Sequence, residues 1–179
     1  MRKRNLWILG VLAIAVVSAA AVAVFLGREP VLTRENDTQT GDTEEWGQIL
    51  AENAEKVQNL SMTEDKDEIL KLDIEQTKAF YILKGLSEEE AQEKAVAYVQ
   101  EREALYQEAI EHGYTVTDEE VWEYLEQLKG TIANAENGEA AQLIMEQFDS
   151  EEDYWNYEFY VYQKNLPIEK YAQAKKFVE

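Results

Sequence analysis

The chain has 179 residues, with 37 acidic against 17 basic side chains, one histidine and no cysteine, giving a formal net charge of −20. That length accommodates one domain with accessory segments. The acidity repels nucleic acid and anionic lipid headgroups, so no nucleic acid is expected as a partner, and the lack of thiols excludes disulfides, thiol catalysis, thiolate metal sites and a lipid-modified cysteine.

Arg2, Lys3 and Arg4, in segment 1–5, precede an apolar run at residues 6–26 that contains no charged residue. As a helix it would extend about 31 Å at ~1.5 Å per residue, enough to span a bilayer. The basic cluster in front of it predicts a cytoplasmic N-terminus, with everything after Leu26 outside the cell membrane. From Leu6 to Leu26 the run is longer than the roughly 7–15 residues of a secretory h-region, which predicts an uncleaved, single-pass signal-anchor. The small-residue pairs Ser18 and Ala20, and Ala21 and Ala23, stand at signal-peptidase spacing and supply the alternative, a protein secreted after cleavage. Residues 27–45 are rich in Thr, Asp, Glu and Asn and read as a flexible acidic linker.

Residues 46–179 read as a helical domain. A modest first helix at residues 46–60 places Ile49, Ala54 and Val57 near one face. Ser61 and Glu64 match a capping box for the next helix, which carries Ile69, Leu72, Ile74, Phe80 and Leu83 up to a stop at Gly85. Ser87 and Glu90 open another helix, whose apolar positions Ala91, Ala95, Tyr98, Val99, Leu105, Tyr106, Ala109 and Ile110 recur at spacings of three and four. Gly113 ends it, with Tyr114 placed to pack back on the last turn. Thr117 and Glu120 then form a capping box, and Val116 with Val121 a hydrophobic staple. The helix they open carries the stripe Val121, Leu125, Leu128 and Ile132. Asn137 and Gly138 break the pattern before a short helix through Leu143, Ile144 and Phe148. Ser150 caps an aromatic helix that Pro167 is expected to end or kink, ahead of a final piece at residues 168–178. No window alternates at period two for long enough to require a strand, so the fold class is all-α.

Glu108, Ala109 and Gly113 close a long amphipathic helix, and Tyr114, Val116, Thr117, Asp118, Glu119, Glu120 and Val121 open the next. This order resembles the N-terminal chaperone domain of the SurA and PrsA family of extracytoplasmic foldases. The segment from Phe148 to Tyr171 is similar to the return helices of that domain, and the likeness covers roughly Met62 to Tyr171. It implies a multi-helix cradle that binds unfolded or nascent exported polypeptides. The parvulin isomerase module of many relatives carries a "HIL" histidine and a glycine-rich "GGdLG" segment. Neither occurs here, and the stretch after Tyr171 is too short for the module, so peptidyl-prolyl isomerase activity is not expected.

Side chains able to carry catalysis are sparse. His112, the only histidine, sits in the last turn before Gly113, where an imidazole complements the helix dipole. Acid pairs such as Glu119 with Glu120 and Glu151 with Glu152 are what any highly acidic helical chain contains. Asp65, Asp67 and Asp73 lack the spacing and central glycine of a calcium loop. No phosphate loop or nucleophile elbow occurs, so no enzyme activity, metal or other cofactor is expected.

What remains is a surface. Tyr154, Trp155, Tyr157, Phe159, Tyr160 and Tyr162 crowd one short segment, where a single helix would turn Trp155, Phe159, Tyr162 and Leu166 to the core. That leaves Tyr154, Tyr157 and Tyr160 on other faces, either for further core packing or for contact with extended peptides, which tyrosine suits through its apolar body and polar tip. Trp122 and Tyr124 are candidate additions to such a client surface. The sequence thus predicts a membrane-anchored, extracytoplasmic, chaperone-like protein. The alternative is a structural or regulatory envelope protein whose helical domain docks one specific partner.

Overall fold

The computed structural model describes residues 39–63, 65–134 and 138–176, and within them the protein is all-α. The helices are α1 Gln39–Thr63, α2 Lys66–Leu83, α3 Glu88–Glu111, α4 Asp118–Ala133, α5 Gly138–Met145 and α6 Glu151–Lys176. The anchor expected at residues 6–26 lies outside the described residues, as does the linker up to residue 38. No described helix is long and apolar enough to cross a membrane.

The helix ends follow local chemistry. Ser87 Oγ accepts from Glu90 N and the Glu90 carboxylate accepts from Ser87 N; Thr117 and Glu120 repeat the arrangement at 3.2 and 2.9 Å. Ser150 Oγ accepts from Asp153 N at 3.1 Å at the start of α6. Gly85 and Gly113 have φ of 85° and 84°. At each, the glycine N–H and the next N–H return to the helix: Gly85 to Ile82 O and Leu86 to Tyr81 O, and Gly113 to Ile110 O and Tyr114 to Ala109 O. This is the Schellman closure, and it turns α2 into α3 and α3 into α4.

Three expected boundaries are corrected. Helix α1 begins at Gln39, inside the segment read as linker, because Trp46 and Leu50 pack into the core and a helix fixed there extends outward at little cost. It also runs past Ser61, so the cap of α2 is Asp65, whose Oδ1 accepts from Glu68 N at 3.2 Å. Aspartate caps as well as serine, and Asp67 and Glu68 complement the dipole in the first turn. Finally, Pro167 neither ends nor interrupts α6, which continues to Lys176 with Pro167 fully buried. The segment beyond the proline is tied down from outside: Lys170 pairs with Glu120, and both Tyr171 and Lys175 bond Glu108.

Helix α6 is the axis of the packing. It lies against α1, α3 and α4, while α1 also contacts α2 and α5, and α2 lies along α3. The main core joins Trp46 and Leu50 of α1, the α4 stripe Val121, Leu125, Leu128 and Ile132, Ala141 and Ile144 of α5, and Phe148 with the inner residues of α6. Gly47 lets α1 approach α5 closely: a Cβ there would stand 3.0 Å from Ile144 Cα. Tyr98 and Val99 form a smaller cluster with Leu70, Ile74 and Leu105 between α2 and α3.

Candidate functional site

The eight aromatic candidates divide into two groups. Tyr154, Trp155, Tyr157 and Tyr162 are core residues, 1%, 4%, 4% and 3% exposed. Trp122, Tyr124, Phe159 and Tyr160 are half-buried. Of the two roles left open for Tyr154 and Tyr157, the structure shows core packing, because neighbours on several sides of α6 leave it no single inner stripe. Phe148 meets Tyr154 edge-on with centroids 5.3 Å apart, and Tyr157 at 5.8 Å. Burial pushes both phenols well above their ordinary range, so they remain neutral.

Three of the half-buried residues make a continuous strip. Trp122 of α4 stacks on Phe159 of α6 at 4.7 Å and 15°, and Tyr160 meets the edge of Phe159 at 5.6 Å. Tyr124 belongs instead to a polar seam between α4 and α6, its hydroxyl on Glu169 and its ring 5.0 Å from Tyr162. Burial raises both Glu169 and Glu158 in this region, Glu158 to about 7, with the Tyr154 hydrogen bond opposing the rise at Glu158.

The sequence does not indicate a concavity that the described residues form. Helices α4, α5 and α6 frame an open cleft of about 1030 Å³. Its apolar lining comes from Ile132, Leu143, Met145, Phe148 and Trp155; Leu143 and Met145 are the half-buried members. Glu139, Glu146 and Glu151 lie around it with Lys129, whose ammonium sits 4.9 Å over the Trp155 ring. Trp155 therefore serves both core and cleft: its indole N–H donates to Glu151 at 3.0 Å. Between α1 and α6 a second groove, of about 500 Å³, has Phe148, Tyr157 and Tyr160 among its lining, with Glu52, Glu55, Asp149 and Asp153 as its only charged members. The pattern break at Gly138 marks the start of α5, but a break alone does not reveal a concavity.

Helix α3 carries a residue that its own pattern obscured. Arg102 continues the spacing of Ala95, Tyr98 and Val99 and is 8% exposed, paired with Asp73 of α2. A charged residue on an otherwise apolar stripe is the signal that marks it. His112 caps α3, with Nδ1 2.9 Å from Glu108 O and its ring 5.0 Å from that of Tyr171. Among the described residues no group of three His, Cys, Asp or Glu is placed to hold a metal ion.

No family model matches the chain, and no curated protein or solved structure is significantly similar to it.

Proposed function

We propose that the chain is a membrane-anchored, extracytoplasmic, chaperone-like protein that holds unfolded or partly folded exported polypeptides in the cleft between α4, α5 and α6. The observation that carries the reading is the cleft itself: about 1030 Å³, open, with an apolar floor and acids around it. An open concavity of this kind offers apolar contact without a shape matched to one side chain, which suits weak and sequence-tolerant binding. Glu139, Glu146 and Glu151 favour clients whose apolar segments carry Lys or Arg beside them. The resemblance over residues 62–171 and the apolar run at 6–26 support the address and the class. No turnover is part of the proposal.

A second reading is favoured by the Trp122 and Phe159 stack. A compact, half-exposed aromatic pair is the type of anchor through which one dedicated envelope partner would dock. One experiment separates the two. The full-length chain at low micromolar excess should suppress the light scattering of a chemically unfolded client, and Leu143→Glu should weaken that suppression while Trp122→Ala leaves it intact. A chain that protects no unfolded client removes the chaperone reading. Sensitivity to Trp122→Ala but not Leu143→Glu moves the site to the aromatic strip.

A further inference from the structure

Two stretches of the chain that hold acids but no Lys, Arg or His, residues 39–55 and 138–163, meet where α1 lies against α5 and α6. Between them runs the groove of about 500 Å³, a size within the ~300–1,000 Å³ of ligand sites. Glu52 and Glu55 stand on its α1 side and Asp149 and Asp153 on the other, all four exposed. The rest of the lining is uncharged, with the half-buried Ala54, Asn156 and Tyr160 among it. The groove is separate from the cleft, with which it shares only Phe148.

No base offsets these carboxylates. Lys56, the one base of α1, donates to Asn53 Oδ1 at 3.0 Å, and Lys164 of α6 pairs with Glu103 at 2.9 Å. Glu52, Glu55, Asp149 and Asp153 enter no ion pair among the described residues, whereas Asp73, Glu103, Glu108 and Glu120 all do. Asp153 Oδ2 accepts from Ser150 Oγ at 2.6 Å, a neutral donor that leaves its charge in place. Nor do the four converge: among the described residues no group of three acids is placed to hold a metal ion. Carboxylates spread along a groove match a ligand whose positive charges are spread along its own length.

We propose that this groove docks an extended, lysine-rich or arginine-rich segment of another polypeptide. The segment sets its cations beside Glu52, Glu55, Asp149 and Asp153. Its methylene stems lie on Ala54 and on the Tyr160 ring, whose face also attracts a cation, and the Asn156 amide is available to a peptide unit. A second copy of this chain, at −20, and an anionic lipid surface are both repelled from the same place.

The test measures, by fluorescence anisotropy at pH 7 and physiological salt, binding of a dye-labelled peptide of alternating Lys and Gly to the full-length chain, with Gln in place of Lys as the uncharged control. The Lys peptide should bind saturably and the Gln peptide should not, with affinity falling as salt is raised. Glu52→Gln with Glu55→Gln should weaken the Lys peptide at least several-fold at unchanged helicity. Glu89→Gln with Glu93→Gln, the same loss of charge at exposed positions of α3, should leave it nearly unchanged. Equal weakening by both pairs overturns the groove and reduces the binding to diffuse attraction by an acidic surface. Binding that tightens after Arg28→Gln with Arg34→Gln, and not after Lys66→Gln with Lys71→Gln, gives the groove to the chain's own preceding segment and overturns the assignment to a partner. Absence of saturable Lys-peptide binding to the unmodified chain overturns the site outright, and that measurement stands even if a variant fails to fold. The probe carries no apolar side chain, so each outcome leaves the cleft to its own test.

Discussion

The Tyr124 hydroxyl donates to Glu169 Oε2 at 3.1 Å, and the other oxygen of that carboxylate is buried with no partner. Half satisfied, the group is held by burial above its ordinary range, and Glu158 on the same helix is raised further, to about 7. A carboxyl whose folded pKa exceeds its unfolded value binds more protons when folded, so stability falls as pH rises through that interval. Unfolding free energy should therefore decline from about pH 4.5 to above pH 7, by on the order of 2–3 kcal/mol for Glu158. Glu108 and Glu120 have the opposite sign, lowered by hydrogen bonds from Tyr171 and Lys170 respectively, and lose their contribution at lower pH. Denaturant titrations from pH 4 to 9 should show Glu158→Gln flattening the alkaline limb. An unchanged limb would remove Glu158 as its cause.

Tyr154 and Tyr157 are core, whereas Tyr160 is half-buried. Tyr154→Ser and Tyr157→Ser should each cost about 3–5 kcal/mol, through lost burial and the cavity left behind. Tyr160→Ser should cost about 1 kcal/mol. Urea midpoints measured on the three single variants check this ordering, and equal midpoints would contradict it.

Gly113 holds φ of 84° and a Cβ there would touch nothing within 4 Å. Gly113→Val should therefore destabilise by about 1–2 kcal/mol through backbone strain alone, and Gly113→Asn by less. Gly47 is the contrary case, helical but crowded, with a Cβ 2.7 Å from Gln147 Cγ and 3.0 Å from Ile144 Cα. Gly47→Ala should lower the thermal midpoint by forcing α1 and α5 apart, despite alanine's better helix propensity. A rise in the midpoint would show that the two helices give way freely.

Asp73→Leu leaves the Arg102 charge buried and should cost about 3 kcal/mol, while the double change Asp73→Leu with Arg102→Met should recover much of it. A double-mutant cycle by chemical denaturation reads the coupling. Additive losses would mean that the pair contributes no mutual energy.

The parts legible in the sequence were those set by neighbours a few residues apart. Caps at Ser87, Thr117 and Ser150, stops at Gly85 and Gly113, and the α4 stripe all depend on contacts within a turn or two. The features that escaped depend on distant partners. Nothing near Pro167 records that Glu108 and Glu120 hold the helix beyond it, and nothing near Asp73 announces Arg102. Along α6, three-residue spacing picks out one stripe but does not say how many sides of the helix are covered, so it leaves Tyr154 and Tyr157 open between core and client surface. The α4, α5 and α6 cleft is a property of how three helices meet, for which no single segment carries a signature.

Helix α6 touches α1, α3 and α4, all of which precede it in the chain. During synthesis those three emerge with the surfaces that α6 will cover still in water. At roughly 5–20 residues per second, the 26 residues of α6 take about 1–5 s to follow. Throughout that interval the nascent protein is an incompletely closed helical bundle presenting Val121, Leu125 and Trp46 to its surroundings. For those seconds the bundle has the exposed apolar surface of an incompletely folded polypeptide.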